Sequence, residues 1–443
     1  MKAIKTSWVV LLLGLSLLWL WADAPAWYAM QGVFAWRNEM LQYTGVLGIG
    51  VMSVAMVLAI RPVALEHRLH GLDKMYRLHK WLGITGLVVA IAHWLWVEAP
   101  KWLVQAGWIA RPVRGPRPAP SADFAGLLQS QRGLAEGVGE WAFYASLVLI
   151  AIALVKYFPY RHFFKTHRWM AVVYLALVLH SVVLMRFSYW STPLGVVMAS
   201  LMLCGTVAAV ISLFRRIGSR RKAVGVIGTL ETLDGVGVSA VTVQLKSAWP
   251  GHQAGQFAFV SFDAREGAHP YTISSDWKDD GQLQFLIKAL GDYTRTLTST
   301  LKPGGVVEVE GPYGRFNFEG TSPRQIWIGG GIGISPFVAR MKALAANPDG
   351  REVDLFHTTA DVDEVALQKL RDDARNAGVR LHILVDARDG RLTGDRLRTA
   401  VPDWRVADVW FCGPTAFGDA IRQDLVSQGL PALNFHQELF AMR

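Results

Sequence analysis

Apolar residues run in long stretches at about 8–24, 42–60, 79–97, 141–156, 168–186 and 193–214, each long enough to cross roughly 30 Å of hydrocarbon as a helix. Six helices is the simplest count. Beyond Lys222 the pattern changes. Short alternating runs at 240–246, 256–262, 283–290 and 306–310, broken by Gly, Pro and Asp, predict a small antiparallel barrel over about 224–318. From Arg324 a strand-like run at 325–328 leads into a glycine-rich turn and a helical pattern. Further strand-like runs at 352–357, 380–385 and 409–412 alternate with helices, the pattern of an α/β domain with a parallel sheet. The expected fold class is an all-α membrane bundle of six transmembrane helices, then an antiparallel β-barrel, then an α/β nucleotide-binding domain.

Composition agrees with two unlike halves. The 443 residues are 52% hydrophobic and 18% charged, with a mean hydropathy of +0.25, too apolar for one soluble domain and too long for one domain of any kind. There are 18 Trp. Trp8, Trp21, Trp81, Trp94, Trp141, Trp169 and Trp190 fall near the ends of apolar runs, where indoles favour the bilayer interface. The net charge of +10 would suit nucleic acid, but the basic residues sit mainly in short loops beside apolar runs and are topology signals. The expected partner is a lipid bilayer, with no nucleic acid. Cys204 in an apolar run and Cys412 in a strand-like segment suggest no disulfide framework.

Loops 61–78, 157–167 and 215–222, with the N-terminus, carry most of the Lys and Arg before Ala223. These are therefore the inner loops, and the polar half is expected to be cytoplasmic in a multi-pass protein of the cell (inner) membrane. The first apolar run resembles a secretory signal, with Lys2 and Lys5 ahead of it and Ala22-Asp23-Ala24 after it. Its long core and the five further spans favour retention. In the outer segment at about 98–140, Arg111, Arg114 and Arg117 interleave with Pro112, Pro116, Pro118 and Pro120, which predicts an irregular exposed segment.

Ionisable side chains inside a span are costly and usually face the bundle interior. His79 and His93 share the third span, separated by a rise of about 21 Å and nearly whole turns, so both imidazoles point to one face. His167 and His180 share the fifth span, about 19.5 Å apart along the axis. The third and fifth spans both run outward, so His79 lies level with His167 near the inner surface and His93 level with His180 near the outer one. A single histidine would be read as an interhelical hydrogen-bonding group. Two level pairs supply the axial nitrogens of two stacked b-type haems, and no carboxylate or thiolate shares these faces, as a bare metal ion would prefer. One difficulty is that in an ideal helix His167 and His180 point about 140° apart, so local overwinding or ring swing is required. His162 aligns with His180 in rotation but lies about 27 Å away along the axis, which does not match the third span.

Gly329-Gly330-Gly331-Ile332-Gly333-Ile334-Ser335-Pro336 joins a strand to a helix. Without side chains its backbone N–H groups can approach a pyrophosphate, which a helix N-terminus also favours, although a tight turn alone would use glycine too. Neighbouring motifs make the signal specific. His269-Pro270-Tyr271-Thr272-Ile273-Ser274, Gly311-Pro312-Tyr313-Gly314, the glycine loop and Phe411-Cys412-Gly413-Pro414 follow one another in the order of the ferric reductase and NADPH oxidase branch of the ferredoxin-reductase superfamily. The histidine pairs are similar to its haem ligands. The chain thus resembles a bacterial member of that family: a di-haem transmembrane domain at 1–218, an FAD-binding β-barrel at 222–320 and an NAD(P)H-binding α/β domain at 321–443.

The resemblance implies that Tyr271 packs on the flavin, that Thr272 bonds the isoalloxazine edge, and that Pro270 and Ser274 complete the signature. His269 would approach the FAD phosphates, where other superfamily members place an arginine. Lys288 and the turn Gly291-Asp292-Tyr293-Thr294 would add phosphate contacts. Gly329, Gly330, Gly331, Gly333, Ser335, Pro336, Gly413 and Pro414 would form the nucleotide site. Cys412 would lie by the nicotinamide, Phe440 would cover the flavin until nicotinamide displaces it, and Glu438 resembles an acidic residue near that site. The plainer alternatives are a buried strand cysteine and a packed aromatic tail. Nicotinamide gives up two electrons as hydride and haem iron accepts one at a time, so FAD between them is chemically required. The implied activity is that of an NAD(P)H oxidoreductase serving an outer acceptor: a ferric complex, or oxygen giving superoxide. Alternatively the chain delivers electrons to a periplasmic or extracellular redox partner protein. After the strand at 352–356 come His357, Asp361, Asp363 and Glu364, with no adjacent cation for a 2′-phosphate. NADH, or weak discrimination against NADPH, is expected.

Overall fold

The computed structural model describes residues 2–27, 32–111, 124–155 and 158–438. It divides into two compact units, Met1–Ile217 and Gly218–Arg443. In the first unit, six helical segments are long and apolar enough to cross a membrane. They are α1 (Lys2–Trp27), α2 (Gly32–Ala59), α3 (Leu72–Gln105), α4 (Arg132–Leu154), α5 (Met170–Leu184) with the short helix Tyr160–His167 ahead of it, and α6 (Pro193–Leu213). Most of the Arg/Pro-rich outer segment, 112–123, lies outside the described residues.

The bundle is apolar outward, with Val10, Leu17, Val88, Val196 and Leu203 exposed, as lipid rather than water would require. Its interior is closed by small and polar groups. The Tyr174 hydroxyl on α5 bonds Ser53 Oγ of α2 at 2.8 Å and donates to the Met202 carbonyl of α6 at 3.3 Å. It lies against Gly205, where a Cβ would fall 2.1 Å from the phenol oxygen. α2 packs along α3 and α6, and α4 packs along α5.

The second unit begins with β1 (Lys222–Leu233), β2 (Val238–Leu245), β3 (Phe257–Ser261), β4 (His269–Thr272), β5 (Gln282–Lys288) and β6 (Val306–Tyr313), with α7 (Asp292–Thr300) between β5 and β6. They form one antiparallel sheet in the order β4-β3-β6-β1-β2-β5. The expected closed barrel is not formed. The sheet curls far enough for a single bridge between Ile273 and Phe285, but β4 pairs along its length with β3 alone. It is four residues long and contains Pro270, which has no N–H to give a second ladder.

The rest of this unit holds β7 (Arg324–Gly330), β8 (Glu352–Thr359), β9 (Arg380–Val385), β10 (Asp408–Cys412) and β11 (Phe435–Gln437). They lie in one parallel sheet ordered β11-β10-β7-β8-β9. Helices α8 (Ser335–Ala346), α9 (Glu364–Asn376), α10 (Gly394–Ala400) and α11 (Thr415–Ser427) complete it. Ile326, Ile328, Val409 and Phe411 enter one core with Leu397 and Ile421, whereas Trp327, Trp410 and Cys412 enter another with Phe337 and Met341. Burial on both faces explains why these strands read as continuous apolar runs. The chain leaves β7 toward β8 on one side and returns through β10 on the other, so the β7/β10 boundary is the topological switch point, where open α/β sheets bind ligands.

Candidate functional site

The four membrane histidines meet as two pairs. The His79 and His167 rings lie 6.0 Å apart between centroids, and the His93 and His180 rings 6.3 Å apart. The pairing is the one expected from helix rise. Hydrogen bonds fix the tautomers. His79 Nδ1 bonds the Ala55 carbonyl at 2.9 Å and His180 Nδ1 bonds the Ala135 carbonyl at 2.8 Å; a carbonyl only accepts, so each Nδ1 carries the proton. His93 Nδ1 lies 2.9 Å from Thr44 Oγ1, whose own proton is given to the Met40 carbonyl at 2.6 Å, so His93 Nδ1 donates as well. In all three the Nε2 lone pair remains for a metal while an oxygen holds the Nδ1 proton, as is typical of ligating imidazoles. His167 Nδ1 is buried without a partner.

The rotational difficulty in the fifth span is met by the backbone. Trp169 N bonds the Thr166 carbonyl, Ala171 N that of Arg168 and Val172 N that of Trp169, at 3.0–3.1 Å. These i to i+3 bonds tighten the turn after His167 and rotate His180 toward it. His162 is exposed. Glycines leave room for the rings: a Cβ on Gly139 would fall 2.0 Å from His180 Nδ1, and one on Gly45 would lie 3.7 Å from His93 Cε1. Among the described residues no group of three or more His, Cys, Asp or Glu gathers as a metal site. Two imidazoles per site, with Nδ1 engaged in His79, His93 and His180, fit a haem whose porphyrin supplies the other four ligands.

In the second unit the glycine loop closes against the turn after β10. A Cβ on Gly333 would fall 2.2 Å from the Cys412 carbonyl oxygen, and one on Gly330 3.0 Å from Pro414 Cδ. Gly331 has φ +56°. The Ser335 hydroxyl is used inside the turn, donating to the Ile332 carbonyl at 2.8 Å. Cys412 is buried, and burial first, then the Glu438 carboxylate, push its thiol well above the usual range. Glu438 in turn stands against Gly314, where a Cβ would approach its Oε1 to 3.0 Å. Cys412, Glu438 and the 311–314 turn are thus brought together at the switch point. Phe440 lies outside the described residues.

His269 on edge strand β4 is stacked on Tyr293 at 4.7 Å. Burial lowers the His269 pKa, so its imidazole is uncharged at neutral pH. Thr294 Oγ1 accepts from Gly291 N at 3.0 Å and Leu290 N at 3.1 Å, which shapes the entry to α7. Ser274 is committed to the sheet, with its hydroxyl donating to the Gln284 carbonyl at 3.0 Å. Lys288 pairs with Asp361 at 2.7 Å, so a cation does stand beside the end of β8, brought there by the other sheet. Lys342 escaped the sequence reading altogether. Its half-buried amine donates to Gln284 Oε1 at 2.7 Å and to the Ser274 carbonyl at 3.4 Å, tying α8 to the Ser274 strand end.

Residues 44–178 match the family described as ferric reductase like transmembrane component, and residues 237–318 match the oxidoreductase FAD-binding domain. The two matches together give the fused arrangement of a ferric-reductase-like transmembrane domain followed by an FAD-binding oxidoreductase domain. It is 28% identical over 215 residues to the toluate 1,2-dioxygenase electron transfer component of Pseudomonas putida, covering 46% of this chain and 64% of that protein. It is 26% identical over 219 residues to a flavohemoprotein of Bordetella pertussis, covering 44% and 54%. The chain therefore spans about half to two-thirds of the curated relatives it matches. Among solved structures, the cytochrome P450 reductase GcoB of Amycolatopsis is 24% identical, with 50% of this chain and 70% of that one covered and a TM-score of 0.44.

Proposed function

We propose that the chain is an NAD(P)H oxidoreductase that moves electrons across the membrane, from cytoplasmic NADH or NADPH through FAD and two b-type haems to an acceptor at the outer face. The observation that carries this reading is the pair of ring separations, 6.0 and 6.3 Å. Two metal–imidazole bonds of about 2.0 Å each, together with the distance from each nitrogen to its ring centre, account for such a spacing. Bound FAD supplies the conversion of a hydride into single electrons.

The chain's own groups do the positioning. His79 with His167, and His93 with His180, present Nε2 to the two irons, and Ala55, Thr44 and Ala135 hold three of the rings by their Nδ1 protons. Gly329, Gly330, Gly331 and Gly333 bring backbone N–H groups to the dinucleotide pyrophosphate at the start of α8. Cys412 presents a neutral thiol, and Glu438 beside it is the acid available to the carboxamide end of a nicotinamide. Tyr271, Thr272 and Pro270 offer a β4 edge to the flavin, with the α7 N-terminus toward its phosphates. The basic loops 61–78 and 215–222 support a cytoplasmic nucleotide site.

The acceptor is a ferric complex or oxygen in the first reading. The relatives described as electron transfer or reductase components favour a second, in which a redox partner protein takes the electrons. One set of measurements tests both. Purified protein should hold two low-spin haems per chain that NADH reduces anaerobically, and His93→Ala should lose about one of them while NADH oxidation with an artificial acceptor continues. An unchanged haem ratio in folded His93→Ala protein would remove the ligand assignment. Turnover with oxygen or a ferric chelate as sole acceptor supports the first reading, and its absence supports the second.

A further inference from the structure

The end of the bundle that carries His93 and His180 also holds a buried ionic cluster to which neither histidine belongs. Asp23 from α1, Glu39 from α2 and Arg186 just after α5 meet there. Arg186 Nη1 pairs with Asp23 Oδ1, and its Nη2 donates to Glu39 Oε1 at 2.6 Å. The Tyr189 hydroxyl donates to Asp23 Oδ1 at 2.6 Å. Gln42 fixes the arginine backbone, accepting from Arg186 N at 2.9 Å and donating to the Leu184 carbonyl at 3.2 Å. Asp23 is 2% exposed and Glu39 7%. The second oxygen of each, Asp23 Oδ2 and Glu39 Oε2, is buried with no hydrogen-bond partner. The cluster adjoins the histidine layer: Glu39 precedes Thr44, the partner of His93, by about 7.5 Å of helix, and Arg186 follows His180 by about 9 Å.

With both carboxylates ionised, the cluster carries one net negative charge in surroundings where an uncompensated charge is strongly disfavoured. Balance requires one proton on the carboxylates or one positive charge nearby. Among the described residues at this end, Glu98 pairs with Lys101, Glu136 with Arg132 and Glu140 with the Tyr144 hydroxyl, while Arg37 donates to the neutral Asn38 side chain at 3.4 Å. Around the cluster, Trp19 and Tyr43 are tilted against each other at 4.7 Å, Tyr43 also bonding Ser16, and α6 contributes no ionisable group besides Cys204. A ferric porphyrin carries one net positive charge, and a ferrous one none.

We propose that Asp23 and Glu39 form a redox-linked proton site coupled to the group held by His93 and His180. One electron, supplied from NAD(P)H by the activity proposed above, enters that group, and one proton from water at the same end of the bundle binds the carboxylate pair. Both leave when the outer acceptor is reduced, the electron to the acceptor and the proton to water. The inference rests on the haem reading of His93 and His180.

The test is a mediator-equilibrated redox titration of the full-length, haem-loaded protein, followed by its ferrous absorbance at several pH values across neutrality. One of two midpoint potentials should fall as pH rises, approaching about 59 mV per pH unit for one proton per electron, while the other stays flat. Glu39→Gln and Asp23→Asn keep hydrogen-bonding shape and should flatten the sloping one; a purely structural role would offset the potential without changing the slope. Two haem midpoints that are both independent of pH in the natural protein overturn the proton site and leave the haem reading intact. A slope that survives in both variants also overturns it. A protein without two haem signals overturns the inference together with the reading beneath it.

Discussion

Gly333 has no room for a side chain, since a Cβ there would fall 2.2 Å from the Cys412 carbonyl oxygen. Backbone cannot give way as a flexible side chain can, so Gly333→Ala must push the glycine loop and the turn after β10 apart. The expected result is a rise in KM for NADH of about tenfold or more, about 1.4 kcal/mol, with FAD content unchanged. Steady-state kinetics with an artificial acceptor and flavin absorbance check both, and an unaltered KM would mean that the dinucleotide binds elsewhere. Coenzyme choice also turns on single residues. Asp361 closes β8, and Lys288 pairs with it at 2.7 Å. His357 is buried, its Nδ1 donating to the Gly329 carbonyl at 3.2 Å, and burial lowers its pKa to about 4, so it brings no charge to a 2′-phosphate at neutral pH. Arg388 is engaged with Asp389. The specificity constant for NADH should equal or exceed that for NADPH, and Lys288→Ala should widen the gap by leaving Asp361 unopposed. A preference for NADPH above about tenfold would show that a phosphate clamp exists where these groups offer none.

Among the elements, the six spans were legible because a membrane helix announces itself by length and hydropathy alone, and the histidine pairing followed from helix rise. The turn after His167 was legible only as a misfit, since i to i+3 bonding depends on local packing. The antiparallel sheet was read as a closed barrel because period-two alternation reports which face is buried, not whether the last strand finds the first. Lys342 and the Asp23–Glu39–Arg186 cluster were hidden because their members are far apart in sequence and carry no motif, although lone acids beside apolar runs were a usable signal. The most consequential element is α1. Trp8 Nε1 donates to Thr85 of α3 at 2.9 Å, Ser16 bonds Tyr43 of α2 at 2.9 Å, and Trp19 is 2% exposed. Asp23, inside the signal-like Ala22-Asp23-Ala24, is bound to Arg186 and Tyr189. Removal of this segment would leave the half-buried Arg186 guanidinium with one acid, so the purified protein should retain α1. Intact mass and N-terminal sequencing check this, and a mature start just after Ala24 would show that the bundle is stable without it.

At the scale of the whole molecule, Gly218–Arg443 forms a compact unit with its own hydrophobic cores, one within the antiparallel sheet and two on the faces of the parallel sheet. A fragment beginning at Gly218 should therefore fold without the bundle, bind FAD and oxidise NAD(P)H with an artificial acceptor. Its stability should depend on pH in a definite direction. The His357 pKa is lowered from 6.5 to about 4, first by burial, with the Gly329 hydrogen bond opposing and Lys288 assisting. Burial lowers His252 and His269 in the same sense. Between those two values the unfolded chain binds a proton that the folded chain refuses, so the unfolded state is favoured as pH falls. The contribution is fully present above the unfolded value of about 6.5 and is lost progressively down to the folded value, amounting to about 3 kcal/mol at most for His357. Urea unfolding of the FAD-loaded fragment at neutral pH and near pH 5 should show the loss, with a smaller one in His357→Gln. An equal loss in both proteins would assign the acid sensitivity to the other buried histidines or to release of FAD, and flavin fluorescence followed through the same titration separates those two outcomes.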